Sequence, residues 1–147
     1  MQWTSAISSE PDLDRALDAL ERELKPALGA SPVDLAVVFV SPHYQEVYGR
    51  IPELVGDRFG PRALIGCSAA GVIGGGRELE QQPAFSLSLA ALPGVEIHPF
   101  HLMHRDLPDP DASPQKWVEL IGVAPQPPAH FLLLADPGTF SRWAPSP

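Results

Sequence analysis

The sequence predicts an α/β fold, with a central mixed β-sheet and helices packed against it. Asp34–Val40 is an almost continuous apolar run rich in β-branched residues, which is typical of a strand covered on both faces. Segments with helical periodicity lie on both sides of that run. Phe85–Leu92 alternates serine with apolar residues, which indicates a further strand.

An amphipathic helix is predicted near the amino terminus, because leucines recur there at helical spacing while charged residues occupy the other faces. These leucines are Leu13, Leu17, Leu20, Leu24 and Leu28. Ser9 and Asp12 are candidates for the start of the helix. Pro26 is expected to end or kink it near Lys25, and Gly29 closes the segment.

A second helix is predicted over Tyr44–Phe59, with a kink near Pro52, and a second strand follows over Ala63–Ser68. A proline-glycine turn separates Phe85–Leu92 from Glu96–Met103, so these two segments are expected to form a hairpin. That antiparallel pairing would make the sheet mixed.

The last part of the chain is expected to contain an exposed loop rich in aspartate and proline, then a short helix that begins at Ser113 and Pro114 and extends to Ile121. His130–Ala135 is apolar and is predicted to be another buried strand.

Gly66–Gly76 is the segment that most strongly indicates a site, because it holds five glycines in eleven positions. Such density is expected where the backbone enters positive φ, or where another group comes closer than a Cβ allows. The segment therefore predicts a pocket wall built from backbone, whose free N–H groups would hold a ligand carboxylate. Strained structural turns would explain the same glycines without a ligand.

The polar residues Ser41, His43 and Tyr44 directly follow the first buried strand, and Pro42 suits the start of a helix there. Ligands of α/β sheets bind at the carboxyl ends of strands. His43 and Tyr44 would hydrogen-bond a ligand or only cap the helix, and Arg77 would pair with a charged ligand or begin an exposed loop. The candidate ligand-binding residues are thus Ser41, His43, Tyr44, Gly66, Cys67, Ser68, Gly71, Gly74, Gly75, Gly76 and Arg77.

These segments resemble the amino-terminal half of the FIST sensory domain. The matching residues are Phe39–Tyr44, Gly60–Glu78, Ala84–Leu89, Leu92–Val95, Pro99–Leu102 and Phe131–Pro137. The resemblance implies a cytoplasmic domain that senses small ligands such as amino acids within signal-transduction proteins, and it implies no enzymatic reaction. A FIST domain continues beyond the last matching segment, so residues 1–137 are expected to be an incomplete domain and residues 138–147 a divergent tail.

The composition of the chain disfavours several classes of binding partner. With 10 Lys and Arg against 18 Asp and Glu, the formal net charge is −8, which disfavours nucleic acid and anionic membrane surfaces. No apolar run approaches the roughly 20 residues that span a bilayer. Cys67 is the single cysteine, which excludes an internal disulfide and a cysteine-based zinc site, and we expect no cofactor.

Two other functions remain open from the sequence. Ser68 lies in a segment similar to the nucleophile elbow of hydrolases, although Ala70 replaces its final glycine, and Cys67 would be a reactive thiol if its pKa were lowered. A protein-interaction scaffold without a ligand is the other alternative. An incomplete domain would also expose apolar surface and associate with itself.

Overall fold

A four-stranded mixed sheet lies in the first of two units into which the chain divides, Met1–Pro99 and Phe100–Pro147. The computed structural model describes residues 1–109, 111–124 and 129–136. The described strands are β1 (Gln2–Ser8), β2 (Leu35–Val40), β3 (Ala63–Ser68), β4 (Gly71–Gly74), β5 (Arg77–Glu80) and β6 (Phe85–Ala91). The described helices are α1 (Leu13–Leu28), α2 (Ile51–Phe59) and α3 (Pro114–Ile121), with 3-10 segments at Pro42–Arg50 and His104–Asp106.

The sheet order is β1-β6-β2-β3, and its mixed character is confirmed. β2 and β3 are parallel, whereas β6 is antiparallel to both β1 and β2. The hairpin expected between Phe85–Leu92 and Glu96–Met103 is wrong, because β6 pairs on both of its sides with other strands. Residues 92–103 contain no strand.

α1 confirms the leucine pattern, since all five leucines are buried. Asp12 caps its first turn by accepting a hydrogen bond from the Arg15 N–H at 3.0 Å. The expectation that Pro26 ends the helix near Lys25 is wrong, because the helix continues to Leu28. The alternative expectation, a kink at Pro26, stays a prediction. Only Ala27 and Leu28 follow Pro26 in the helix, and Leu28 is buried.

Two apolar clusters lie on opposite faces of the sheet. Neighbouring residues of a strand point to opposite faces, and Ala6 belongs to the cluster packed on α1 whereas Ile7 belongs to the other cluster. The first cluster also contains Val55 of α2. The second cluster joins Ile7 to Val72 of β4, so the β4–β5 hairpin covers the face away from the helices.

Arg58 ties the two helices together on their exposed side. Its guanidinium pairs with Asp18, with Glu21 at 3.2 Å and with Asp14 at 3.5 Å. These hydrogen bonds raise the pKa of Arg58, the largest contribution coming from Asp18. The three carboxylates all belong to α1, so one cation of α2 links the two helices.

The second unit contains α3, as predicted, with Ser113 at its amino end and Gly122 in the left-handed region at its carboxyl end. The strand expected over His130–Ala135 is wrong, because residues 129–136 contain no strand. Phe131 and Leu132 are each 61% exposed, so the run is not buried either. Residues 138–147 lie outside the described residues. Within the described residues, no helix has the length and apolar character needed to cross a membrane.

Candidate functional site

The two sequence segments singled out as a site begin at one edge of the sheet. Because β2 and β3 are parallel and Val40 pairs with Ser68, both strands end at the same edge. The Ala69 N–H donates to the Val40 carbonyl at 2.9 Å, which continues the pairing one residue past β3. We call this region, with Ser41–Tyr44 on one side and Cys67–Ala69 on the other, the strand-end edge.

Ser41 is a buried hydrogen-bonding centre at that edge, with 1% of its surface exposed. Its N–H donates to the Ala84 carbonyl at 2.8 Å, and its Oγ accepts from the Ala84 N–H at 3.0 Å. Its carbonyl accepts from the Tyr44 N–H and from the Tyr48 hydroxyl. Ser41 thus occupies the capping position of the 3-10 segment, but its Oγ binds the N–H of the residue preceding β6 and caps no backbone N–H of the segment.

His43 and Tyr44 have different environments. His43 is exposed, and its Nδ1 lies 3.2 Å from the Oγ of Ser41. Tyr44 is 1% exposed, contacts the Phe85 ring edge to face, and donates its hydroxyl proton to the carbonyl of Glu10. Burial, followed by the charges of Glu10 and Asp12, raises the pKa of Tyr44 to about 12. The Tyr44 hydroxyl is therefore already engaged within the protein.

Cys67 and Ser68 are both exposed at the end of β3. Ser68 is followed after two residues by β4, so the turn joins strand to strand. A nucleophile elbow joins a strand to a helix, and the local geometry at Ser68 differs from it in this respect.

The glycine-rich segment contains a hairpin that the sequence analysis missed. Gly75 and Gly76, with φ of 53° and 74°, form the turn between β4 and β5. A Cβ at Gly74 would lie 2.5 Å from the Oγ of Ser86, and a Cβ at Gly66 would lie 2.2 Å from the Val38 carbonyl oxygen. Gly71, at the start of β4, is exposed beside Glu80. The packing of the first unit thus accounts for four of the five glycines.

Arg77 begins β5 and does not begin a loop. Its Nη2 donates to the backbone carbonyl of Ile7 at 2.7 Å, which fastens the hairpin to β1. Two short runs flanking Gly75 and Gly76 were the available sequence signal for this hairpin, since adjacent glycines favour tight turns with positive φ.

A depression of about 370 Å³ at the opposite end of β2 was not predicted. Asp34 lines it, is 4% exposed, and accepts a hydrogen bond from the Leu92 N–H at 2.6 Å. Its other oxygen lies 3.2 Å from the guanidinium of Arg62. Asp34 fastens the end of β6 to the start of β2, because it bonds backbone on one side and a cation on the other. Among the described residues, no group of three or more metal-ligating side chains is close enough to hold an ion.

The matched sequence gives the class of protein, because FIST domains are a family of sensory domains of signalling proteins. The family model for the FIST N domain matches residues 34–142, and the chain belongs to that family. The match includes β2, β3, the hairpin and β6. The expected resemblance is therefore confirmed.

Two relatives are uncharacterized proteins from two strains of Mycobacterium tuberculosis. Each is 33% identical to this chain over 96 residues, which is 65% of this chain and 24% of the relative. The matched region of the chain thus spans about a quarter of the length of these curated relatives. No solved structure matches the chain significantly.

Proposed function

We propose that this chain is the ligand-binding part of a cytoplasmic sensory domain, and that it holds a small polar metabolite such as an amino acid without covalent chemistry. The ligand would bind at the strand-end edge. The observation that carries the proposal is the parallel register of Val40 with Ser68, because it brings exposed polar residues from two strand ends to one edge.

The proposed site residues divide by exposure. Five of the exposed residues would offer side-chain or backbone groups to the ligand: His43, Gly66, Cys67, Ser68 and Gly71. Gly75, Gly76 and Arg77 are also exposed, but Gly75 and Arg77 lie against β1, so we propose that they hold the hairpin whose start the ligand contacts. Ser41, Tyr44 and Gly74 are buried and would shape the edge from behind. Substitutions of the exposed residues therefore test ligand contact most directly.

Signalling requires that the ligand bind two conformations with different affinity. The β4–β5 hairpin follows Ser68 after only two residues, so a ligand at the strand-end edge would contact the start of that hairpin. We therefore propose that ligand binding changes the position of the hairpin for a signalling partner domain.

The test is thermal unfolding of the protein with amino acids and related metabolites over a range of concentrations. A ligand of the folded state at about a hundredfold excess over its Kd stabilises by about 2.7 kcal/mol. Ser68→Ala should lower the affinity at least about tenfold, the size of one lost hydrogen bond, whereas the exposed Ser5→Ala on β1 should leave it unchanged. The proposal fails if no metabolite raises the midpoint of the wild type.

The segment Phe131–Leu134 favours a second function, a protein-interaction scaffold that also associates with itself. Its first three side chains are 61%, 61% and 60% exposed, and contiguous exposed apolar residues are typical of interaction surfaces. Sedimentation across a concentration series should then reveal oligomers that Leu133→Lys abolishes. Ile73→Lys is the matched control, because Ile73 is 68% exposed and lies on β4.

A further inference from the structure

We propose that His43 donates a hydrogen bond to the ligand through its Nε2–H, and that the buried hydroxyl of Ser41 holds the imidazole in the tautomer that allows this. The ligand then belongs to the class of small metabolites that present a carboxylate or carbonyl oxygen. This inference rests on the proposed function and names the chemistry of that same site.

The hydrogen-bond donors and acceptors around the Ser41 hydroxyl determine the tautomer of His43. The Ala84 N–H can only donate, so at 3.0 Å it uses one lone pair of the Ser41 Oγ. The hydroxyl still carries its own hydrogen, and Ser41 is 1% exposed, so water does not accept it. Among the described residues, the Nδ1 of His43 at 3.2 Å is the acceptor that the structure places on this hydroxyl.

The tautomer follows from that assignment. A neutral imidazole whose Nδ1 accepts a hydrogen bond carries its proton on Nε2. In the opposite tautomer, Nδ1–H would donate to the Oγ and leave the buried hydroxyl hydrogen of Ser41 without an acceptor in the described residues. An unsatisfied buried polar group is unfavourable enough to populate the Nε2–H form by at least about tenfold over the other.

His43 also has a ring nitrogen at this edge that remains available to a ligand, as the exposed hydroxyl of Ser68 does. His43 is exposed, and no described residue hydrogen-bonds its Nε2. The neighbouring Tyr44 donates its hydroxyl proton to the Glu10 carbonyl and is buried. A fixed N–H donor at the strand-end edge selects an acceptor atom on the ligand, so a metabolite with an amine and no acceptor would not satisfy it.

The first measurement reads the tautomer directly, by nitrogen–proton NMR correlation of the imidazole rings above their pKa. The His43 signals are assigned by their loss in His43→Gln. The expected result is protonated Nε2 in the wild type, and a shift toward the mixed tautomer of free histidine in Ser41→Ala. Ser8→Ala is the matched control, because Ser8 is a buried serine whose Oγ binds the Glu10 N–H. A wild-type spectrum with Nδ1 protonated overturns the proposal, even if Ser41→Ala does not fold.

The second measurement tests the ligand class by thermal unfolding of the full chain with alanine, propionate and propylamine at equal concentrations. Alanine and propionate should raise the midpoint and propylamine should not. His43→Gln keeps an N–H donor and should retain most of the affinity, whereas His43→Phe should lose at least about tenfold.

The outcomes separate this inference from the proposed function. Stabilisation of His43→Phe equal to that of the wild type, or stabilisation by propylamine alone, overturns the inference and leaves a sensor with another ligand contact. Absence of stabilisation by any metabolite overturns both.

Discussion

Replacing Gly66 with alanine tests whether this glycine is required for close packing of two strands or for ligand binding. The new Cβ would lie 2.2 Å from the carbonyl oxygen and 3.0 Å from the Cβ of Val38, the residue that pairs with Gly66 across β2 and β3. The oxygen belongs to backbone, so it cannot rotate away as the end of a side chain would. The two strands must separate by about 1 Å to restore ordinary contact, which stretches the hydrogen bonds between them.

The cost follows from two contributions. Overpacking in a well-packed region costs about 1–3 kcal/mol, and weakening of one or two ladder hydrogen bonds adds about 1 kcal/mol. Gly66→Ala should therefore lower the free energy of unfolding by about 2–4 kcal/mol, a large part of the stability of a small domain. β3 has β2 as its one neighbour in the described sheet, so it can yield by moving outward, which keeps the cost finite.

Urea unfolding followed by circular dichroism measures the effect. Gly49→Ala is the matched control, because nothing lies within 4 Å of its added Cβ and its φ is ordinary. It should change stability by less than about 1 kcal/mol, in the favourable direction. If Gly66→Ala destabilises the protein no more than Gly49→Ala does, close strand approach is not the reason for Gly66.

Three further predictions concern other polar and charged contacts. Ser41→Ala should cost about 1–3 kcal/mol in urea unfolding because it leaves a buried N–H unsatisfied, whereas Ser113→Ala should cost little because that side chain makes no cap hydrogen bond. Ionisation of Tyr44 should not affect the free energy of unfolding below pH 10.0, and that free energy should fall as the pH rises toward about 12. The reason is that the hydroxyl stays neutral in the folded state and ionises earlier in the unfolded chain. Tyr44→Phe should remove that part of the pH dependence. Arg58→Ala should cost about 1 kcal/mol, less at high salt, and Arg50→Ala, which loses one exposed pair at 3.5 Å, should be close to neutral.

The sequence was informative where burial is reflected in local composition. The strands β2 and β6 were predicted because both are covered along most of their length, and their runs of apolar residues record that. Strand β1 was missed, since three of its first four residues are exposed and its sequence is mixed. Its formation depends on pairing with β6, far away in the chain, which no local pattern records.

The prediction of a strand over His130–Ala135 was wrong for the opposite reason. Its composition resembles that of β2, but a strand forms only where a neighbour supplies hydrogen bonds, and composition says nothing of the neighbour. The hairpin at Gly75 and Gly76 was readable from the two adjacent glycines and was assigned instead to a pocket wall.

The strand ends that form the candidate site were predictable, whereas the contacts of their side chains were not. The strand ends at Ser41 and Ser68 could be located because the parallel arrangement of two buried runs brings their carboxyl ends together. The partner of the Ser41 hydroxyl, Ala84, is 43 residues away, and the Tyr44 hydroxyl binds a residue 34 positions away. Such contacts are consequences of the folded topology.

The position of β6 between β1 and β2 has a consequence for biosynthesis. A ribosome releases β1, α1 and β2 long before it releases β6, so the emerging chain exposes their apolar faces while the strand that joins β1 to β2 is still missing. The sheet can close only after Ala91 has left the exit tunnel. The nascent chain is therefore prone to aggregation until β6 emerges, and a chaperone that shields apolar segments would be most useful during that time.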